Sequence, residues 1–536
     1  MTQNTHPGQD IPNASPLHQI IHEWLTPTHI GWVLIFLSTI IGCLSINFGS
    51  FVDEADNLSV GWLITQKYVL YRDVFSHHFP FAYYWAAFII MLFGKSIFVV
   101  RLSVWLYQIL AFGIAMQLTR YYWSIGLTSI AWSVIHTLYR NNQILYSPFA
   151  ASAVFVVFIL TFRSIYKEFP ANKKIAIVQG IFSIIALLSD PLSVYAIGTA
   201  LVFLLLKNRK QCVYTIIVII LGVFGYIGAL YISGSLQGFI QDALIFNATI
   251  YAKYINEGPF RFIDLIRYIL TAFDITNPIW YNINPFFPIN PGYVQVDQWL
   301  LTGFLYRFGL ITGVIILLLR REFILSIFVY IMSCTVLLIN TTGFRSTPFT
   351  LLALVLIGMI ITNDWHLSSQ EINPYILKTL QLCVRAFLWM MLLWLFLRGT
   401  QFIYQQGKYQ TYNSQFASYE KDAKQIINLT CNNPGVSLID YPEGLYAYWY
   451  TGLKPVSKYM FMFPWVAEVG LTDTINKLKQ PDALTIVIYQ REKIWNTYDT
   501  NVYMRPLLDY LNLNYIKVNE NHYISPSLYK VCSGSR

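Results

Sequence analysis

The chain has 536 residues, of which 55% are hydrophobic and only 12% charged, with a formal net charge of +9. A soluble protein carries about 25% charged residues, so this composition, with a mean hydropathy of +0.48, excludes a water-soluble protein and indicates an integral membrane protein of several helices. The positive charge does not indicate nucleic acid, because no contiguous basic stripe exists and the basic residues fall in short loops between apolar runs.

Residues 1–29 read as a cytoplasmic tail, and the first apolar run is not a cleaved leader, since no short apolar core with a small-residue cleavage site precedes it. About eleven spans follow: Ile30–Phe48, Ile97–Thr119, Ile125–Leu138, Pro148–Phe162, Ile175–Leu188, Leu192–Leu206, Val213–Tyr231, Trp299–Leu319, Phe323–Ile339, Phe349–Ile361 and Thr379–Leu397. Several fall short of the roughly 20 residues that a bilayer needs, so their ends are soft. With the N-terminus inside, the cytoplasmic turns collect Arg120, Arg163, Lys167, Lys173, Lys174, Lys207, Arg209, Lys210, Arg320, Arg321 and Lys378, whereas the short outer turns hold Arg140 and Arg345. That asymmetry sets the orientation and puts the C-terminal part outside.

Phe81–Gly94, FAYYWAAFIIMLFG, is apolar but short and rich in Tyr and Trp. A span there would invert every later loop against the charge rule, so it reads as an in-plane interfacial helix, as does Leu58–Tyr68. The long outer segment from Ile232 to Gln298 includes the aromatic, Pro-rich NPIWYNINPFFPINPG and reads as a folded lid or a membrane-surface platform. From about Gly399 the composition becomes that of a soluble α/β domain: VSLID and ALTIVIY are short buried strands, LTDTINKLK an amphipathic helix, and YIKVNENHYISPS a hairpin. Cys43, Cys212, Cys334 and Cys383 fall in or beside spans and act as small apolar residues. Cys431 and Cys532 lie near the two ends of the outer domain, where a disulfide is plausible in an oxidising compartment.

The segment FVDEADNLSVG follows the first span and places Asp53, Glu54 and Asp56 at a membrane–water boundary. Carboxylates there are expensive to hold. Asp53 and Glu54 could act as a general base toward an acceptor hydroxyl or amine, orient it, or hold a cation; a solvated helix end with Asp56 as a cap is the plainer alternative. Arg72, His77 and His78 lie in the same loop, in YRDVFSHHFPFAYYW, and Arg101 begins the second span. Arg101 could bind phosphate bidentately, pair with the acids, or snorkel. The two histidines are too few ligands to define a metal site. Asp190, in LLSDPLSVY, is a turn residue before Pro or a cavity wall, and Arg345, in TTGFRSTPF, a polar turn or a phosphate contact.

The order of a first span, DE, a short helix, Y-x-D-x-F-x-H-x-x-P, an aromatic in-plane helix and FGKSIFVVRL resembles the GT-C membrane glycosyltransferases, and more narrowly the family of protein O-mannosyltransferases and lipid A aminoarabinose transferases (glycosyltransferase family 39-like). The resemblance is specific over about residues 30–120 and only topological beyond them; Asp53, Glu54 and Arg101 match its Asp-Glu motif and following Arg. It implies a GT-C-like transmembrane domain over 30–398, with outer loops 49–96 and 232–298, and an extracytoplasmic domain over 399–536. It also implies transfer of a sugar from a polyprenyl-phosphate donor at the outer face of the membrane. The carboxylate would activate the acceptor, and basic residues would hold the leaving phosphate; of the candidates Arg101 alone matches a family position, while Arg140, Lys253, Arg261 and Arg345 are candidates by their expected side of the membrane alone. Neither the sugar nor the acceptor (lipid, glycan or protein) is specified, nor is participation of a divalent cation. A bacterial inner membrane is the expected location. A polytopic transporter or lipid flippase is the alternative, although ionisable groups near mid-span would then be expected.

Overall fold

The computed structural model describes residues 26–139, 142–166, 172–254, 305–338, 347–362, 374–409 and 412–534. Among the described residues, each expected span overlaps a helix. By length and composition, four stretches among the described residues are sufficient to cross a membrane: Ile97–Thr119, Tyr146–Tyr166, Arg209–Ile232 and Leu382–Gln401. The first helix, Pro27–Cys43, starts where the sequence chemistry sets it, with Pro at its first position and the Thr26 side chain accepting from the His29 N–H. It packs against Tyr122–Ile135, where a Cβ on Gly126 would come within 2.8 Å of Leu34, and where Ser38 Oγ donates to the Ser129 carbonyl at 2.7 Å. Small residues and serine hydroxyls are how helices close up where lipid supplies no hydrophobic drive between them.

Tyr146–Tyr166 is buried along nearly its whole length, touching Ile97–Thr119, Lys173–Ser189, Ser193–Lys207 and Thr347–Thr362. It is therefore the centre of the bundle, and it carries apolar or small hydroxyl residues on every side. Arg209–Ile232 lies at the periphery with Leu221, Phe224 and Ile232 exposed, the surface expected of a helix that meets lipid.

The loop after the first span folds as Val52–Thr65 and Phe81–Phe93, which pack on each other. Gly61 lets them approach, since a Cβ there would lie 2.5 Å from Ala86 Cβ. The first of these helices starts earlier than the expected Leu58, because Asp53 and Glu54 fall inside its first turn, where the positive end of the helix dipole favours them. In the long outer segment, residues through Tyr254 form the wide-turned helices Phe239–Ile245 and Asn247–Tyr251; the Pro-rich run expected to form a lid or platform lies outside the described residues.

Helix Pro374–Tyr409 continues through the composition change at Gly399, and helix Tyr412–Leu429 leads into the sheet. The strands are β1 (Ser437–Tyr441), β2 (Lys454–Pro455), β3 (Thr485–Tyr489), β4 (Lys493–Ile494), β5 (Tyr498–Asp499), β6 (Ile516–Lys517) and β7 (His522–Ile524). The main sheet has the order β2-β1-β3-β7-β6, with β1 parallel to β2 and β3, and β7 antiparallel to β3 and β6; β4 and β5 form a separate hairpin. β3 is buried at all five residues, which explains its unbroken apolar sequence TIVIY. Cys431 and Cys532 form a disulfide with Cα atoms 5.6 Å apart.

The disulfide joins residues 101 apart in sequence; disulfides typically contribute about 2–4 kcal/mol, and loop-closure entropy alone gives about 4.7 kcal/mol for a loop of this size. The double variant Cys431→Ser, Cys532→Ser should therefore lower the unfolding temperature of the purified protein, and dithiothreitol should do the same to the wild type. An unchanged melting curve would show that the bond does not support the fold.

Candidate active site

The DE motif divides its two acids between different jobs. Glu54 is fully buried and faces Arg101, also fully buried, in a bidentate pair: Arg101 Nε donates to Glu54 Oε1 at 2.7 Å and Nη2 to Oε2 at 2.5 Å. The rest of the guanidinium binds main-chain carbonyls just past the first span, Ile46 at 3.1 Å, Phe48 at 3.4 Å and Gly49 at 2.6 Å. Those five bonds use all five guanidinium N–H groups. Glu54 also accepts from Tyr446 Oη at 3.2 Å and from the Ile144 N–H at 3.4 Å. Asn142 Nδ2 reinforces the same turn, donating to Phe48 O at 2.6 Å and Ile46 O at 2.9 Å. Neighbouring Asp56 is buried and accepts from Tyr83 Oη, which itself bonds Ser76 Oγ at 2.7 Å.

Asp53 is different. It lies in the first turn of the same helix and lines a cavity of about 980 Å³ between the membrane domain and the C-terminal domain. Successive helix residues point about 100° apart, so Asp53 can face the cavity while Glu54 faces Arg101. The near wall is Ser50–Asp53 with His77 and His78, whose rings stand 4.0 Å apart. His78 stacks on Tyr146, and His77 packs against Tyr251. Tyr251, Tyr254, Tyr419 and Asp422 close the sides. The far wall is the carboxyl end of β1 and β3, where open α/β sheets commonly bind ligands: Asp440 near the end of β1 with Glu443 and Gly444 after it, Gln490 and Glu492 after β3, with Trp465 and Trp495 beside them.

The lining is acidic and aromatic. Asp53, Asp422, Asp440, Glu443 and Glu492 line it, and the described lining includes no Lys or Arg. Asp440 is buried and accepts from Gln490 Nε2 at 3.0 Å; burial pushes its carboxyl up to about 7, against the lowering effect of that bond. Gly444 makes room for it, because a Cβ there would collide with the Asp440 carboxylate at 1.8 Å. Glu443, nearer the mouth, is likewise pushed up to about 7 by partial burial of its carboxyl, then by the charges of Glu492 and Asp53. Among the described residues, no group of three His, Cys, Asp or Glu side chains is placed to hold a metal ion.

The expected site residues therefore separate. Asp53, His77 and His78 meet at the cavity. Arg101 does not reach it: its donors are consumed by Glu54 and three carbonyls, so the expected phosphate contact gives way to a structural clamp, and Glu54 is held as its counter-ion. Arg72 lies in a separate surface cleft, pairing with Asp73 at 2.8 Å and donating to the Ser233 carbonyl at 3.0 Å, which ties the loop to the end of Arg209–Ile232. Asp190 Oδ1 accepts from the Leu192 N–H at 3.0 Å, the turn role, and does not line the cavity. Arg345 lies outside the described residues. Asp440, Glu443, Glu492, Trp465 and Trp495 were missed. The only available signal was an acid at the end of a strand pattern, VSLID followed by YPEG.

No family model and no curated protein matches the chain. Solved structures do. ArnT from Cupriavidus metallidurans bound to undecaprenyl phosphate aligns over 93% of this chain and 99% of that one, with TM-score 0.50 and 12% identity. The fold is GT-C. The apo state of the same ArnT aligns at TM-score 0.49 and 13% identity, covering 92% of this chain and 97% of that one. Archaeal oligosaccharyltransferase AglB from Archaeoglobus fulgidus, in complex with an inhibitory peptide and a dolichol-phosphate, aligns at 0.44 and 10%, covering 85% and 69%. The GT-C fold accounts for the architecture here: several membrane helices and a C-terminal domain containing a sheet.

Breaking a buried ion pair from one side leaves an uncompensated charge and costs about 3–5 kcal/mol. Arg101→Met and Glu54→Gln should each sharply reduce the yield of monodisperse protein and its unfolding temperature; normal stability in both would mean that the pair does not hold the loop. Asp440 makes a pH-dependent contribution of the opposite kind. Its folded-state pKa lies above the ordinary value, so the folded state holds the proton more tightly and this group's contribution to stability falls as pH rises from about 4 through about 7. The unfolding temperature of Asp440→Asn minus that of wild type should become more positive between about pH 5 and pH 8, and a pH-independent difference would show that Asp440 is ionised throughout.

Proposed function

We propose that the chain is a membrane glycosyltransferase. It moves a sugar from a polyprenyl-phosphate donor to an acceptor at the outer membrane–water interface, with Asp53 as general base. The observation that carries this is the division within the DE motif: Glu54 is neutralised by Arg101, while Asp53 is left on the cavity wall. The ArnT structure of like fold holds undecaprenyl phosphate, which supports a lipid-linked donor here. In the reaction the acceptor hydroxyl or amine attacks the anomeric carbon, its proton passes to an Asp53 carboxylate oxygen, and the bond from that carbon to the phosphate oxygen breaks with its electron pair leaving on the phosphate. Arg101 is committed elsewhere, so the phosphate falls to Lys253, which is exposed next to the cavity residues Tyr251 and Tyr254, or to Arg140, Arg261 or Arg345. Loop charges favour a cytoplasmic N-terminus and an extracytoplasmic C-terminal domain, in a bacterial inner membrane.

The test begins with lipid extracts of cells with and without the gene, in which loss of the protein should cause one polyprenyl-phosphate sugar to accumulate. With that donor, Asp53→Asn should lower transfer about 10²–10⁴-fold, the usual contribution of a general base, at unchanged unfolding temperature. Substantial activity in Asp53→Asn would remove Asp53 as the base, and no accumulating donor would turn attention to transport. The same assay in EDTA, then with Mg²⁺ restored, reads out whether a divalent ion takes part.

A further inference from the structure

The cavity wall contributed by the C-terminal domain carries two polar atoms without hydrogen-bond partners among the described residues. Trp465 is 3% exposed and its indole N–H has no acceptor; Glu492 has a buried carboxylate oxygen, Oε1, with no donor. Both residues line the cavity. Buried polar groups are nearly always satisfied, and a hydroxyl is the group that accepts from the first kind of atom and donates to the second.

Beside them is an aromatic surface. Trp465 packs on Trp495 with ring centroids 4.6 Å apart, and Phe463 lies 5.0 Å away on its other side. Trp495 is 48% exposed and sits in the loop of the β4–β5 hairpin. It and Asn496 both have left-handed backbone, φ +52° and +57°, a conformation that Gly or Asn adopts more readily than a bulky residue. Turn formation therefore does not explain a tryptophan there. The hairpin also fixes Glu492, whose N–H donates to Thr500 Oγ1 at 3.1 Å and whose carbonyl accepts from the Thr500 N–H at 3.1 Å. Glu492 and Trp495 are thus presented together by one small rigid element.

We infer that Trp465, Trp495 and Glu492 form a saccharide subsite of the cavity, and that the saccharide it takes carries no phosphate or carboxylate. A sugar ring offers C–H groups to the electron-rich face of an indole and hydroxyls to a carboxylate and an N–H. Asp440, Glu443 and Glu492 share this wall, with no Lys or Arg among the described lining, so an anionic group is disfavoured here, in contrast to the Lys253 side of the cavity to which the donor phosphate is assigned. Naming this saccharide as the acceptor rests on the transferase reading; the subsite itself does not.

The test uses the full-length protein in detergent on an array of neutral, phosphorylated, uronic-acid and amino-sugar glycans together with cationic peptides, followed by calorimetry with the best neutral glycan. Neutral glycans should bind. Trp495→Ala and Glu492→Gln should each weaken the affinity at least about tenfold at unchanged unfolding temperature, and Trp495→Phe, which keeps a ring, should retain most of it. Binding confined to anionic or cationic probes, no glycan binding, or full affinity in Trp495→Ala would overturn the inference. Neutral-glycan binding by wild-type protein that transfers no sugar would overturn the transferase reading and leave the subsite standing.

Discussion

A fully buried ion pair between Glu54 and Arg101 organises the face of the membrane domain that meets the C-terminal domain. Removing two charges from water costs several kcal/mol each, and their attraction repays that only when every remaining donor and acceptor is also satisfied. Here they are: the guanidinium gathers the carbonyls of Ile46, Phe48 and Gly49, and the carboxylate gathers Tyr446 Oη and the Ile144 N–H. One pair thereby joins the end of the first membrane helix, the start of the second span, the first-loop helix, the residues before Tyr146 and the C-terminal domain. Gly49, with φ +74°, supplies the left-handed turn that lets the chain leave the first helix and present its carbonyl to Arg101.

The consequence for chemistry is a division of labour between adjacent acids. A general base must be ionised, accessible and near the proton it takes. Glu54 meets none of the accessibility requirement, whereas Asp53, one residue earlier and about 100° around the helix, is on the cavity side. Fixing Glu54 fixes the rotation of the whole helix, and so fixes the direction of Asp53. Asn57 adds a second tie through the same backbone, with Nδ2 donating to the Asp53 carbonyl at 2.8 Å and the Ile144 carbonyl at 2.9 Å. A buried pair away from the cavity can thus set the direction of a residue that lines it.

What could be read from the sequence follows from the range of the forces involved. Membrane helices declare themselves through local composition, and the strands VSLID and ALTIVIY through short apolar runs, so both were legible. The DE motif and Arg101 were legible as a group but not in their roles. Whether an Arg at the start of a span meets a phosphate or a carboxylate depends on which acid the helix turns toward it, and that is set by contacts from Ile144 and Tyr446. Arg72 shows the same limit: its partners are the next residue, Asp73, and Ser233, far along the chain. Trp465, Trp495 and Glu492 were invisible because they are more than 400 residues from Asp53 in sequence and no local pattern marks them.

The cavity exists only because the two domains are docked, and the docking is specific. Ser59 Oγ donates to the Leu445 carbonyl at 2.8 Å, the Phe75 N–H to the Lys458 carbonyl at 2.8 Å, and Lys458 Nζ pairs with Asp242 at 3.2 Å. Lys95 stands over both Trp62 of the first-loop helix and Trp449 of the outer domain, with 4.5 Å and 5.1 Å to the ring centres. These contacts ring a cavity to which the membrane side contributes Asp53 and the C-terminal domain an aromatic and acidic wall. A lipid-borne group would arrive from the bilayer at Asp53, and a polar partner from water along β1 and β3. On the transferase reading proposed above, docking of the two domains is what would let a membrane-soluble reactant and a water-soluble one reach the same carboxylate, since each domain supplies only part of the cavity lining.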